Sequence, residues 1–237
     1  MDFLSNLDAT SLLTDLGLIL ATLATYWLVR KAYVKSGLHP LLQPVLAGSA
    51  VMILLLVVLQ ISYKDYFASV QIIHWFLAPS IVALAVPLFY EAKHMRKILA
   101  KISLLVFVGG VVTVALAVAI LLLFSASDES VLAMLTKSVT TAVAVLVSEE
   151  TGAIASLAAG FVMITGVFGA VVAPYIFQKF SIKRDEEKGL ALGLSAHAIG
   201  TVKAFEISPK CGAYSILAMI VNAIFTAILL PICFWLF

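Results

Sequence analysis

The chain has 237 residues, of which 63% are hydrophobic and only 12% charged. Soluble domains sit near about 45–50% apolar and about 25% charged, and a fold of this size still exposes much of its area to solvent. Lipid must therefore be the solvent for most of the chain, which excludes a soluble catalytic domain, a long tail and a nucleic-acid-binding module. The formal net charge of +2 gives no reason to expect an anionic polymer as partner.

Apolar segments fall at about 12–29, 41–60, 67–90, 102–124, 131–147, 153–177, 189–206 and 211–237. They are too long and too little alternating for barrel strands, and backbone amides in hydrocarbon must be satisfied within the segment, so they are predicted to be helices. At about 20 residues per span the length holds about seven or eight crossings. The expected fold is an all-α polytopic membrane protein, one integral membrane domain over residues 1–237.

The first residues carry Asp2, Asp8 and Asp15 but no Lys or Arg before Arg30. A secretory signal peptide starts basic, so this N-terminus is expected to be retained and to run into the first span. Pro79 and Pro87 interrupt the third segment and predict a helix break or kink there, since proline removes a helix hydrogen bond and crowds the preceding turn. The segment 131–147 is short and carries Lys137, Ser138, Thr140 and Thr141, the most polar run inside any apolar segment. A broken helix there would aim amides, hydroxyls and one ammonium into a cavity, which suits a small carboxylate. The segment 189–206 is read as a helix with Gly193, His197, Gly200, Thr201 and Ala204 on one face. An ionisable His197 at that depth is a functional candidate, with Ser195 and Thr201 beside it. Lys203 and Glu206 are three residues apart and are expected to pair. Cys211 and Cys233 lie near opposite ends of the last segment, too far apart to bridge along one helix.

Eleven of the 15 Lys and Arg residues fall in three stretches: Arg30, Lys31 and Lys35; Lys93, Arg96, Lys97 and Lys101; Lys179, Lys183, Arg184 and Lys188. The positive-inside rule places all three in the cytoplasm. The third stretch comes out inside only if 131–147 returns to the side it entered, as a re-entrant or broken helix. A weak internal repeat runs through the same region: Pro79 to Ala83 resembles Thr136 to Thr140, displaced by 57, and Val106 to Val111 resembles Val162 to Val167, displaced by 56. Repeat halves at about 65–125 and 126–185 are expected, and paired interrupted segments point to a transporter's substrate site. His-Glu-x-x-His, a Walker loop and a Gly-x-Ser-x-Gly elbow are all missing from the sequence, so neither enzymatic chemistry nor a metal or redox cofactor is expected.

Gly189 to Glu206 (GLALGLSAHAIGTVKAFE), followed by Gly212 to Met219, resembles the signature of the LrgB/CidB family of bacterial membrane proteins. Further matches are His39 to Leu46, Phe76 to Leu88 (FLAPSIVALAVPL) and Lys137-Ser138-Val139-Thr140-Thr141, in the right order from about Leu38 to Pro231. The family usually has Asn at the position of His39, and Pro on both sides of the Lys-Ser run, where this chain has Thr136 and Ala142. A break is therefore less firmly enforced here. The resemblance implies a multi-pass protein of the bacterial inner membrane, acting with a small LrgA/CidA-like membrane protein and expected to form homo- or hetero-oligomers. It implies transport of small monocarboxylates of the pyruvate, glycolate or glycerate class, as in the similar plastid glycolate/glycerate translocator, or else a holin/antiholin-like role in murein hydrolase export and autolysis. The residues expected to meet substrate are Lys137, Ser138, Thr140, Thr141, Ser195, His197, Thr201 and Lys203.

Overall fold

The computed structural model describes residues 9–39, 42–76, 79, 82–83 and 85–236, and no strand occurs among them. Internal packing divides the chain into two compact units, 1–83 and 84–237.

In the first unit α1 (Ala9–Lys35) packs against α2 (Pro44–Val58) and α3 (Tyr63–Ser69), and α4 (Gln71–Trp75) follows. Gln43 caps α2 by accepting a bond from the Leu46 amide, and Pro44 takes the first helical position, where its missing N–H costs nothing. Leu18, Leu56 and Val70 form the buried seam of this unit. The chain bends by 114° between α2 and α3. Most residues around Pro79 lie outside the described residues.

The second unit holds α5 (Ala85–Met95), α6 (Leu99–Leu123), α7 (Asp128–Met134), α8 (Thr141–Thr151), α9 (Ala155–Lys179), α10 (Asp185–Ile207) and α11 (Pro209–Leu236). Pro87 lies within α5, two residues after its first described residue. The pairs α5–α6 and α8–α9 match in length, 11 and 25 residues each. All four boundaries are displaced by 56 residues. Their buried positions match as well: Ile102, Val106 and Gly110 on α6 answer to Ala158, Val162 and Gly166 on α9.

By length and composition α1, α6, α9, α10 and α11 could each cross a bilayer, with the bent α2–α3 pair as a sixth candidate. Only 11% of the most apolar window of α6 is buried by protein. Its outer face is Leu104, Leu105, Val108, Val111, Val112, Leu116 and Ile120, all exposed. A contiguous apolar face of this kind marks a surface covered by lipid or by another protein. The chain is a multi-pass membrane protein.

One of the five candidates is not straight. His197 has φ 41° and ψ −127°, outside the helical region. Asp185, which opens α10, accepts a 2.6 Å bond from the hydroxyl of Ser208, just past its end. A straight helix would hold those residues about 34 Å apart. Glu186 likewise pairs with Lys210 at 2.7 Å. A Cβ on Gly200 would collide with the Leu192 carbonyl oxygen, so the two arms lie side by side. Segment 185–207 is a helical hairpin with its tip at His197. The single helical face expected through Gly193, His197 and Thr201 therefore does not exist, because the chain reverses in its middle.

Candidate functional site

Two interruptions dominate the second unit. The first separates α7 from α8 at residues 135–140, where the polar run predicts a break, and it forms although Thr136 and Ala142 stand in place of prolines. Local bonds replace the lost helical ones. Thr136 Oγ1 donates to the Ala133 carbonyl at 3.1 Å, and Lys137 Nζ donates to Ser138 Oγ at 2.8 Å. The Ser138 carbonyl accepts a 2.8 Å bond from Asn222 Nδ2, reaching from the middle of α11. Thr140 then caps α8 in an extended conformation.

The second interruption is the hairpin tip. His197 is 2% exposed, and its Nε2 lies 2.9 Å from the Val162 carbonyl oxygen on α9. A carbonyl only accepts, so Nε2 carries the proton, and Nδ1 of the neutral ring is an acceptor. Nδ1 is buried with no hydrogen-bond partner; among the described residues only Ser148 Oγ shares that condition. The ring fits because Gly166 is beneath it, where a Cβ would come within 2.6 Å of Cε1 and 2.7 Å of Nε2. The same part of α9 receives the first break, since Val139 packs in one buried cluster with Val162 and Ala158. Both interruptions thus rest on one turn of one helix.

The expected site residues divide. Lys137 and Ser195 line one cavity of about 610 Å³ together with Thr165, Phe168 and Gly169 of α9. Ser195 Oγ donates back to the Ala191 carbonyl at 2.6 Å, leaving its lone pairs for the cavity. Ser138 is 3% exposed and faces Lys137, and Thr140 is half-buried. Thr141 is exposed, away from these residues' bonds. Thr201 stitches the hairpin: its hydroxyl donates to the His197 carbonyl at 2.8 Å and lies 2.9 Å from Ser215 Oγ on α11. Lys203, 7% exposed on the returning arm, pairs with Glu206 at 2.8 Å as its spacing predicts. Asn222 is the residue that the sequence pattern leaves out. A signal for it exists, a single amide in the apolar run 211–237, where a polar side chain needs a partner. No group of three His, Cys, Asp or Glu that could hold a metal occurs among the described residues.

Chemically the cavity joins one ammonium and hydroxyls to largely apolar walls, and the buried imidazole of His197 is not among its lining residues. That set suits a small anion with a short apolar or hydroxylated body.

The chain matches the LrgB-like family over residues 22–236. It is 32% identical over 220 residues to the holin-like protein CidB of Staphylococcus epidermidis, covering 93% of this chain and 96% of that one. The holin-like protein CidB of Staphylococcus aureus is 29% identical over the same shares, and the uncharacterized protein YxaC of Bacillus subtilis is 31% identical over 93% of this chain and 95% of its own. No solved structure matches.

Proposed function

The chain belongs to the LrgB-like family, and from that premise we propose that it transports or facilitates small monocarboxylates of the pyruvate, glycolate or glycerate class, without catalysing a reaction. The observation that carries the reading is the cavity at the broken helix, which joins the Lys137 ammonium and the Ser195 hydroxyl. A carboxylate that sheds its water there meets a cation that offsets part of the desolvation cost, which is several kcal/mol for a lone ion. His197 serves as acceptor for a substrate hydroxyl when neutral, and as donor to a carboxylate when protonated. Thr140, Thr141, Thr201 and Lys203, all of the same unit, are assigned supporting roles. A small LrgA/CidA-like membrane protein is the proposed partner.

The name of the Staphylococcus relatives favours a second reading, a holin-like protein that alters membrane permeability. Uptake of labelled pyruvate, glycolate and glycerate into proteoliposomes, with and without the small partner, separates the two. Saturable uptake that falls at least tenfold in both Lys137→Ala and His197→Ala, at normal membrane expression, supports the carboxylate site. Full uptake by both variants removes it.

A further inference from the structure

Packing within the second unit fixes the end at which each element starts and stops. At one end lie both ends of the 185–207 hairpin and the start of α11, joined by the Asp185–Ser208 and Glu186–Lys210 contacts. Phe177, near the end of α9, packs there with Leu192, Ala204 and Cys211. Ile102, near the start of α6, packs with Ala213 and Tyr214. At the opposite end Glu150 and Thr151 border Phe234 and Trp235 at the end of α11. Val118 of α6 shares a cavity with Leu229 and Cys233 of α11, and the Phe107 and Phe225 rings lie 5.1 Å apart, so these two helices run parallel. α6 therefore ends where α9 begins, and the two are antiparallel despite their matched lengths. α7 starts and α8 finishes at that same end, while the break between them reaches Asn222, halfway along α11.

Charge marks the two ends. The first carries Arg96, Lys97, Lys101, Lys179, Lys183, Arg184, Lys188 and Lys210. The second carries Asp128, Glu129, Glu149 and Glu150, with no Lys or Arg in 123–131 or 148–155. The positive-inside rule counts Lys and Arg, so the first end is cytoplasmic.

We propose that 128–151 and 185–207 are re-entrant hairpins inserted from opposite membrane faces, the first from outside and the second from the cytoplasm. Their interruptions, at Ser138–Val139 and at His197, close on one position at mid-depth. Each face reaches that position only when its own hairpin moves aside, which makes the device an alternating gate and not an open pore. The topology stands on packing and charge alone; the gating clause rests on the carboxylate-transport reading.

The test uses the full chain with Cys211→Ser and Cys233→Ser, bearing single cysteines at Asp128, Glu150, Lys183 or Lys210. A membrane-impermeant maleimide should label the Asp128 and Glu150 positions only in intact cells, and the Lys183 and Lys210 positions only in inside-out vesicles. A second variant, Asp185→Cys with Ser208→Cys, should form an intramolecular disulfide under mild oxidation, which a straight helix forbids. Labelling of the Asp128 and Glu150 positions from opposite faces, labelling of both hairpins from one face, or no cross-link in well-expressed protein would each overturn the proposal. None of these readouts needs substrate. Failed uptake with correct labelling would therefore sink the transport reading alone.

Discussion

Gly166 shows how much a single missing methyl governs at this site. The His197 ring occupies the space that a side chain at position 166 would fill. Gly166→Ala must displace the ring from the Val162 carbonyl, since the added Cβ would come within 2.6 Å of the ring. A Cβ on Gly160, on the same helix, would meet nothing within 4 Å. Gly160→Ala should thus be neutral or slightly stabilising, as alanine is the better helix former. We expect Gly166→Ala to lose most carboxylate uptake while remaining in the membrane, with Gly160→Ala near wild type. Equal uptake by the two variants would show that the ring position is irrelevant to transport. Gly193 presents a harder case, because a Cβ there meets the backbone carbonyl of Ser215 and backbone cannot rotate away. Gly193→Ala should part the hairpin from α11 and cost about 1–3 kcal/mol, the range for overpacking, visible as a lowered melting temperature in detergent.

At the scale of elements, the two interruptions differ in how they are held and in how readable they are. The 135–140 break announces itself, because Lys137, Ser138 and Thr140 offer side-chain bonds that compete with the helix. The reversal at His197 does not. Gly193 and Gly200 flank it and would tolerate a left-handed turn more easily, yet the positive φ falls on the histidine. What holds it there is tertiary: the Val162 carbonyl, the Thr201 hydroxyl and the Asp185–Ser208 clasp, all distant in sequence or inward-facing. Local pattern reads 189–206 as one continuous helix for that reason. Asn222 is the long-range partner of the other break. Asn222→Leu keeps the volume but leaves the buried Ser138 carbonyl without its donor, at a cost of about 1–3 kcal/mol. The expected result is a lower melting temperature together with weakened uptake. A wild-type melt would mean that the Asn222–Ser138 bond does not hold the break.

For the whole molecule, composition and charge are the most legible. The apolar segments fall on helices among the described residues, and two of the three basic stretches collect at one end of the second unit, because bilayer thickness and the positive-inside rule act on sequence directly. The same scale bears on the choice between the proposed gated transporter and a permeability-altering oligomer. A water-filled pore assembled from whole helices needs a polar stripe along a span, whereas the outward face of α6 is apolar from Leu104 to Ile120. The polar groups of the second unit gather instead where the two hairpins stop, around Lys137, Ser138, His197 and Asn222. Confined polarity of that kind supports binding and release at one depth, with each hairpin sealing its own side. Reconstituted protein should accordingly show saturable carboxylate flux while planar bilayers containing it stay at leak-level ionic conductance, with or without substrate. Stepwise ionic conductance that persists in the Lys137→Ala and His197→Ala variants would instead mean that the permeation path avoids the hairpin tips, and the holin-like reading would then account for the chain.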